Sequence, residues 1–266
     1  MPAAPLRSVV PAAPLRSAVL GIVQGIAEVV PVSSSAQLVL VPALLGWPPA
    51  ADRTRSAALL HAGSCAGIAF AMRRDLADLS RSELALLAAG SLPAALAGLV
   101  GADAVERRLG RPPQLAALLA AAGALMWAVE TRSVVRVRQV GPAQATAAAL
   151  AQPLALVPGV SRSGATRTAL RAVGVAPAQA QRFSLLMSLP VTAGAAALTL
   201  GRAARRGSDW RGALAESAPG MLTAAVASGL AVRGVERRVG AALRLACLYR
   251  LAVAAAVAAR WSRRAW

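Results

Sequence analysis

The chain lacks lysine altogether and holds a single histidine, His61, and two cysteines among its 266 residues. Aromatic residues make up only 3% and charged residues 15%. Each shortage excludes something. Two lone cysteines, Cys65 and Cys247, in apolar surroundings and without metal-ligand spacing, offer neither a disulfide framework nor a zinc site and read as packing residues. With one histidine, no multi-histidine metal centre can form. With so few aromatics, the 57% hydrophobic content rests on Ala, Leu and Val. The net charge of +18 looks like a nucleic-acid signal, yet every basic residue is Arg, and the arginines sit in short clusters between apolar segments. The clusters are Arg73 and Arg74, Arg107 and Arg108, Arg202 to Arg206, Arg237 and Arg238, and Arg263 and Arg264. That is the pattern of interfacial anchors facing anionic lipid, not of a nucleic-acid surface. Because arginines occur in nearly every connection, the positive-inside rule assigns no orientation.

Apolar stretches near spanning length recur along the chain: Ala57–Met72, Glu83–Gly101, Gln114–Val129, Phe183–Leu200, Met221–Val232 with an upstream extension, and Ala241–Ala259. A helix needs about 20 mainly apolar residues to cross the hydrocarbon. The expectation is an all-α, polytopic membrane protein; a soluble Ala-rich bundle would need polar faces that most of these stretches lack. The N-terminus has no signal-peptide pattern. PAAPLRS occurs at Pro2–Ser8 and again at Pro11–Ser17, which marks a duplicated tail of residues 1–16 and leaves a later natural start open. Residues 17–266 form one membrane domain.

Two polar islands interrupt the apolar sequence. The first, QGIAEVVPVSSSAQ, runs from Gln24 to Gln37, and the second, QPLALVPGVSRSGAT, from Gln152 to Thr166. Each has a Gln, a Pro six or seven residues later, and then a hydroxyl cluster. The apolar pieces flanking them (Ser17–Val30 and Gln37–Trp47; Ala143–Val157 and Ala165–Val173) are too short to span and read as half-helices of broken or re-entrant pairs. Interrupted short segments at corresponding positions of two halves point to a repeat, here about 17–130 and 141–260, with the site at its interface. Arg73–Arg81 and Thr131–Val140 read as polar loops.

The islands carry the only expensive chemistry. A charged side chain at membrane depth costs about 2.5–3.5 kcal/mol on insertion scales, so Glu28 and Arg162 are functional candidates. In the second island Pro158 and Gly159 stop a helix, and Ser161, Arg162, Ser163 and Gly164 precede a new one. A helix N-terminus, a guanidinium fork and two hydroxyls make a phosphate cradle, against the alternative of a solvated loop with an incidental arginine. In the first island Gln24 and Glu28 are four apart and share a helix face. A carboxylate beside a phosphate site is a metal ligand, a general base, or both, against the alternative of a paired buried acid. Among Ser33, Ser34 and Ser35, one is a candidate nucleophile, and helix capping is the competing role for each. Trp47, Trp127, Trp210, Trp261 and Trp266 read as interface anchors. Glu106 and Glu130 read as solvated segment ends. The small residues of GSLPAALAG and of Thr192–Ala197 read as close helix packing.

At these residues the chain resembles the undecaprenyl pyrophosphate phosphatase family, the bacitracin-resistance membrane phosphatases. That family carries a [E/Q]GxxEFxPxSSxGH stretch and a later PGxSRSG stretch; the second appears here in full as PGVSRSG. LLHAGSCAGIAF, GSLPAALAG, QRFSLLMSLP and the LYR at Leu248–Arg250 extend the likeness over most of the chain. The resemblance implies an inverted-repeat fold of transmembrane and re-entrant helices in a bacterial plasma membrane. It implies hydrolysis of undecaprenyl diphosphate to undecaprenyl phosphate, which recycles the lipid carrier of peptidoglycan synthesis, and a divalent cation, Mg²⁺ first and Ca²⁺ second. The implied partners are the lipid substrate and membrane lipids. Carried over by position, Glu28 is the essential acid and metal ligand. Ser34 and Arg162 join it in catalysis, and Gln24, Ser33, Ser35, Gln37, Ser161, Ser163, Gly164 and Thr166 bind substrate. One departure stands out: the family's Gly-His after the serines is Ala36-Gln37, and glutamine cannot shuttle a proton near neutral pH. His61 falls in the LHLGT-like segment, where the expected role is structural or capping. The alternatives are a polyprenyl-phosphate transporter or flippase, whose architecture also places a phosphate site between repeats, and a catalytically impaired homologue.

Overall fold

The computed structural model describes residues 12–48, 50, 52–109, 111–205 and 209–262. The first PAAPLRS copy, Arg206, Arg263, Arg264 and Trp266 lie outside the described residues, as do the side chains of Glu106, Arg107 and Trp210. The described chain is helical: α1 (Ala13–Val29), α2 (Ser34–Leu45), α3 (Arg53–Ala71), α4 (Arg73–Ala77), α5 (Arg81–Leu109), α6 (Pro112–Arg132), α7 (Pro142–Ala151), a 3-10 turn (Gln152–Leu156), α8 (Arg162–Ala172), α9 (Pro177–Arg205), α10 (Trp210–Arg237) and α11 (Val239–Ser262). Five of these, α5, α6, α9, α10 and α11, are long and apolar enough to cross a membrane. The protein is a multi-pass membrane protein.

Both polar islands break the helices as the proline positions predict. α1 ends before Pro31 and α2 starts at Ser34; the 3-10 turn ends before Pro158 and α8 starts at Arg162. At about 1.5 Å per residue, α2 and α8 are some 18 and 17 Å long, well short of the hydrocarbon thickness. Three expectations shift. The polar stretch after α3 is partly helical as α4, and α6 runs on to Arg132. The Val137 backbone then bridges to Val175. α1 begins at Ala13, inside the expected tail. The expected span Ala57–Met72 forms as the 19-residue α3 but is not among the five apolar helices. It carries Arg53, Arg55, His61 and Ser64, and it packs on α1, α9 and α10.

The packing repeats with the element order. α1 lies on α10 as α7 lies on α5, α3 on α10 as α9 on α5, and α2 on α11 as α8 on α6. α3 and α9 pair with each other, as do α6 and α11.

Close packing centres on α10. A Cβ added at Gly21 or Gly25 of α1 would stand 2.1 Å from Gly220 O or 2.4 Å from Ala224 O, and one at Gly63 or Gly67 of α3 would stand 2.4 Å from Met221 O or 2.0 Å from Ala225 O. Two glycine pairs at four-residue spacing therefore let α1 and α3 lie backbone to backbone on α10, where dispersion replaces a hydrophobic driving force. The stretches expected to do this do so only in part. Gly90 meets the Met187 side chain, but Gly98 and Gly194 face nothing within 4 Å. The aliphatic cluster around Val29, Ile68, Met72, Leu170, Phe183, Leu186 and Val232 sits at the ends of α1 and α8 and fixes the islands against α9 and α10.

Candidate active site

The two breaks are built alike. Ser33 and Ser161 precede α2 and α8 with φ of +67° and +73°, the only non-glycine residues among those described with positive φ. Such a backbone costs about 1–3 kcal/mol per residue and persists where surrounding contacts over-determine it. The contacts are specific. Ser161 Oγ accepts from Gly164 N at 3.3 Å and so caps its own helix. Ser33 Oγ instead reaches across to accept from Gly159 N at 3.2 Å, joining one break to the other. Arg250 of α11, fully buried, completes the join. Its Nε donates to Pro31 O at 2.6 Å, its Nη1 to Gly159 O at 3.1 Å and its Nη2 to Val160 O at 3.1 Å. The sequence offered only its place in the LYR match as a signal.

Glu28 lies in the last turn of α1 and is held by side chains from five helices. Gln24 Nε2 donates to its Oε2 at 2.9 Å, and Ser34 Oγ donates to the same oxygen at 3.0 Å. Arg162 Nη2 pairs with Oε1, and Thr192 Oγ1 of α9 lies 3.5 Å from that oxygen. Arg162 Nη1 also binds Thr192 Oγ1 and donates to Ser188 O at 3.1 Å. His61 of α3 stands with Nδ1 3.0 Å from Ala57 O, as a structural role requires, but its Nε2 faces Glu28 Oε2 at 3.8 Å. Ser64, buried one turn on, lies 3.4 Å from Gln24 Nε2. Ser64 and Thr192 are site neighbours that the sequence reading gave no site role, and His61 was expected only in a structural or capping role; a polar residue on an otherwise apolar helix face was the available signal.

Ser34 and Arg162 are each the first residue of their helix, at the positive end of its dipole. The first residues of two helices thus grip the two oxygens of one carboxylate. The other expected residues divide. Ser163 is buried 3.2 Å from Ser161 Oγ, and Gly164 serves the cap. Thr166 bonds Ser184 Oγ at 2.6 Å and Arg162 O at 2.9 Å, behind the site rather than in it. Ser35 is exposed and touches only Ser33 Oγ, at 3.4 Å. Gln37, in the departing position, does not reach Glu28. Its Nε2 donates to Val32 O at 3.0 Å and its Oε1 accepts from Tyr249 OH at 2.8 Å, so both ends of the amide shape the break. Glu130 is not a solvated end: it accepts from Arg171 Nε at 2.9 Å.

The profile of the bacitracin resistance protein BacA family matches residues 17–256. The chain belongs to that family. Undecaprenyl-diphosphatases from Geobacter metallireducens and Geobacter sulfurreducens are 40% identical over 164 residues and 39% identical over 165 residues; each match covers 55% of this chain, and 60% and 61% of the relatives. The enzyme of that name from Thermodesulfovibrio yellowstonii is 32% identical over 149 residues, covering 55% of this chain and 58% of the relative. The matched chain thus spans about three fifths of the length of these relatives. The family's profile takes in both helix breaks, the α10 packing and Arg250.

Proposed function

We propose that the protein is a phosphatase of bacterial plasma membranes that hydrolyses undecaprenyl diphosphate to undecaprenyl phosphate and orthophosphate, with residues 17–130 and 141–260 as inverted repeats. The observation that carries this reading is Glu28 bonded at once to the Ser34 hydroxyl and the Arg162 guanidinium. A hydroxyl donating to a carboxylate at 3.0 Å is a nucleophile beside its base, and a guanidinium at the same point is the clamp for the phosphate it attacks. The names of the relatives support the hydrolase over the transporter alternative, and Gln37, bonded to Val32 O and Tyr249 OH, is read as shaping the break.

Substrate first opens the ion pair. The diphosphate takes Glu28's place on Arg162 and leaves the carboxylate with Ser34. Ser34 Oγ then attacks the terminal phosphorus while its proton passes to Glu28. The bond from that phosphorus to the bridging oxygen breaks, and the proton is returned to the departing polyprenyl phosphate. Water attacks the phosphoserine with Glu28 again accepting a proton, and Ser34 recovers it as orthophosphate leaves. The dipoles of α2 and α8 stabilise charge developing on the phosphoryl oxygens.

A divalent cation fits the donors present. The Glu28 carboxylate and the Ser34 hydroxyl that meets it are oxygen donors, and Gln24, whose Nε2 bonds Glu28, has its Oε1 buried without a partner. Among the described residues no three His, Cys, Asp or Glu side chains gather to hold a metal. Mg²⁺ commonly takes one or two carboxylates and completes its shell with phosphate oxygens and water. When bound it would neutralise phosphate charge.

The test is phosphate release from a polyprenyl diphosphate by purified protein, with Mg²⁺ and with chelator. Ser34→Ala is expected to lower kcat by about 100-fold or more, and Ser35→Ala to stay within about threefold of wild type, since that side chain is exposed away from Glu28. Wild-type rates in Ser34→Ala would sink the serine assignment. No release by folded wild-type protein that still binds polyprenyl phosphate would sink the enzyme.

A further inference from the structure

The polar face of α8 continues past the site. Arg167 and Arg171, four residues apart on one helix face, are both buried, and Glu130 of α6 is the carboxylate that meets them. Arg171 is fully engaged: Nε on Glu130 Oε2 at 2.9 Å, Nη1 on Val175 O, and Nη2 on Ser133 O at 3.5 Å. Arg167 is not. Its Nη1 donates to Gln181 Oε1 at 2.9 Å, while Nε and Nη2 are buried with no hydrogen-bond partner. Those two nitrogens form the side-on edge of the guanidinium, whose parallel N–H groups grip two oxygens of one anion. Two guanidiniums and one carboxylate leave an excess positive charge at a residue only 1% exposed, and a buried charge is held only when compensated.

We propose that Arg167, with Gln181 and Glu130, forms a second anion site, separate from Arg162, for a protonated oxyanion of the orthophosphate class. Glu130 selects the ligand. Its Oε1 stands 4.0 Å from Arg167 Nη2, too far to fill the fork but close enough to meet what does. A fully ionised oxyanion such as sulfate would be repelled there. Orthophosphate keeps a P–OH near neutral pH and donates it to Glu130 while accepting from Arg167 Nε and Nη2. The site is tied to the first: Gln181 Nε2 donates to Val29 O at 3.3 Å, the residue next to Glu28. Orthophosphate is also the product of the proposed reaction, but the binding site stands whether or not that reaction occurs.

Equilibrium dialysis of the full chain in detergent with labelled orthophosphate tests this without turnover. Arg162→Ala is expected to retain one orthophosphate site. Adding Arg167→Gln should weaken that site by about tenfold or more, through the loss of the two charge-assisted contacts from Nε and Nη2. Sulfate should compete at least about tenfold less well than phosphate, and Glu130→Gln should erase that preference. Arg162→Ala protein that binds no orthophosphate, or whose binding is indifferent to Arg167→Gln, overturns the proposal and leaves water in the fork. Should Arg167→Gln fail to fold, Glu130→Gln decides: an unchanged phosphate-over-sulfate ratio also overturns it. A failed phosphatase assay with this binding intact would count against the enzyme alone.

Discussion

Arg250 takes no part in the proposed chemistry, yet the geometry makes activity depend on it. Its guanidinium bonds the carbonyls of Pro31, Gly159 and Val160, so one side chain fixes the residues before Ser33 and before Ser161. Arg250→Met removes these three bonds from a charged donor, each contributing about 1.5–3 kcal/mol, and a longer one to Leu119 O at 3.5 Å. It also removes a buried guanidinium whose desolvation costs several kcal/mol. These terms largely cancel, and the expected net loss of stability is about 2 kcal/mol, a few degrees in Tm. The effect on rate does not cancel. Ser34 and Arg162 follow the freed breaks directly, and a displacement near 1 Å costs about 100-fold in rate. Thermal unfolding followed by tryptophan fluorescence, beside phosphate release in micelles, should show a small Tm shift with a large fall in kcat and a lesser change in KM. Arg250→Lys keeps the charge but has no planar fork to span two breaks, so its Tm should recover more than its kcat. A folded Arg250→Met enzyme with kcat within about threefold of wild type would refute the reasoning.

Gln37→His should change kcat by less than about fivefold, because an imidazole there still has Val32 O and Tyr249 OH as partners and Glu28 lies beyond its contacts; a rise of tenfold or more in phosphate release would show that the position reaches the reaction. Gln24→Glu adds a second carboxylate beside Glu28, and the Mg²⁺ concentration giving half-maximal release should fall by about tenfold; an unchanged requirement would remove these residues from the cation. Gly67→Leu should cost about 3 kcal/mol or more, read as loss of folded protein after detergent extraction, because its Cβ would stand 2.0 Å from Ala225 O. Gly98→Ala, facing nothing within 4 Å, should be neutral or slightly stabilising.

Much of this arrangement was legible in the sequence because the costs are local. Pro31 and Pro158 cannot continue a helix, so the breaks could be placed to within a few residues. Glu28 and Arg162 were marked by the expense of charge in apolar surroundings. What could not be read depends on partners distant in the chain. Glu130 ends an apolar stretch and reads as solvated, until α8 brings Arg171 against it 41 residues later. The glycines at 21, 25, 63 and 67 look like ordinary small residues until α10 lies on them. Ser33, Ser34 and Ser35 are chemically identical in the sequence; only the left-handed turn at Ser33 separates them, sending one hydroxyl to Gly159, one to Glu28 and one to the surface.

The two breaks, alike in backbone, differ in the chemistry they carry. Ser33 and Ser161 occupy the same structural place, as do Ser34 and Arg162, yet the position five residues before the cap is Glu28 in one half and Leu156 in the other. With the acid in one half and the guanidinium in the other, each compensates the charge of its counterpart before substrate arrives. In the proposed reaction the same division supplies a base on one side of the phosphate and a clamp on the other. In the proposed reaction the ion pair that makes the site tolerable in a membrane is the pair that a diphosphate opens, and affinity for substrate is expected to come out smaller than the contacts alone suggest, because opening that pair is part of binding.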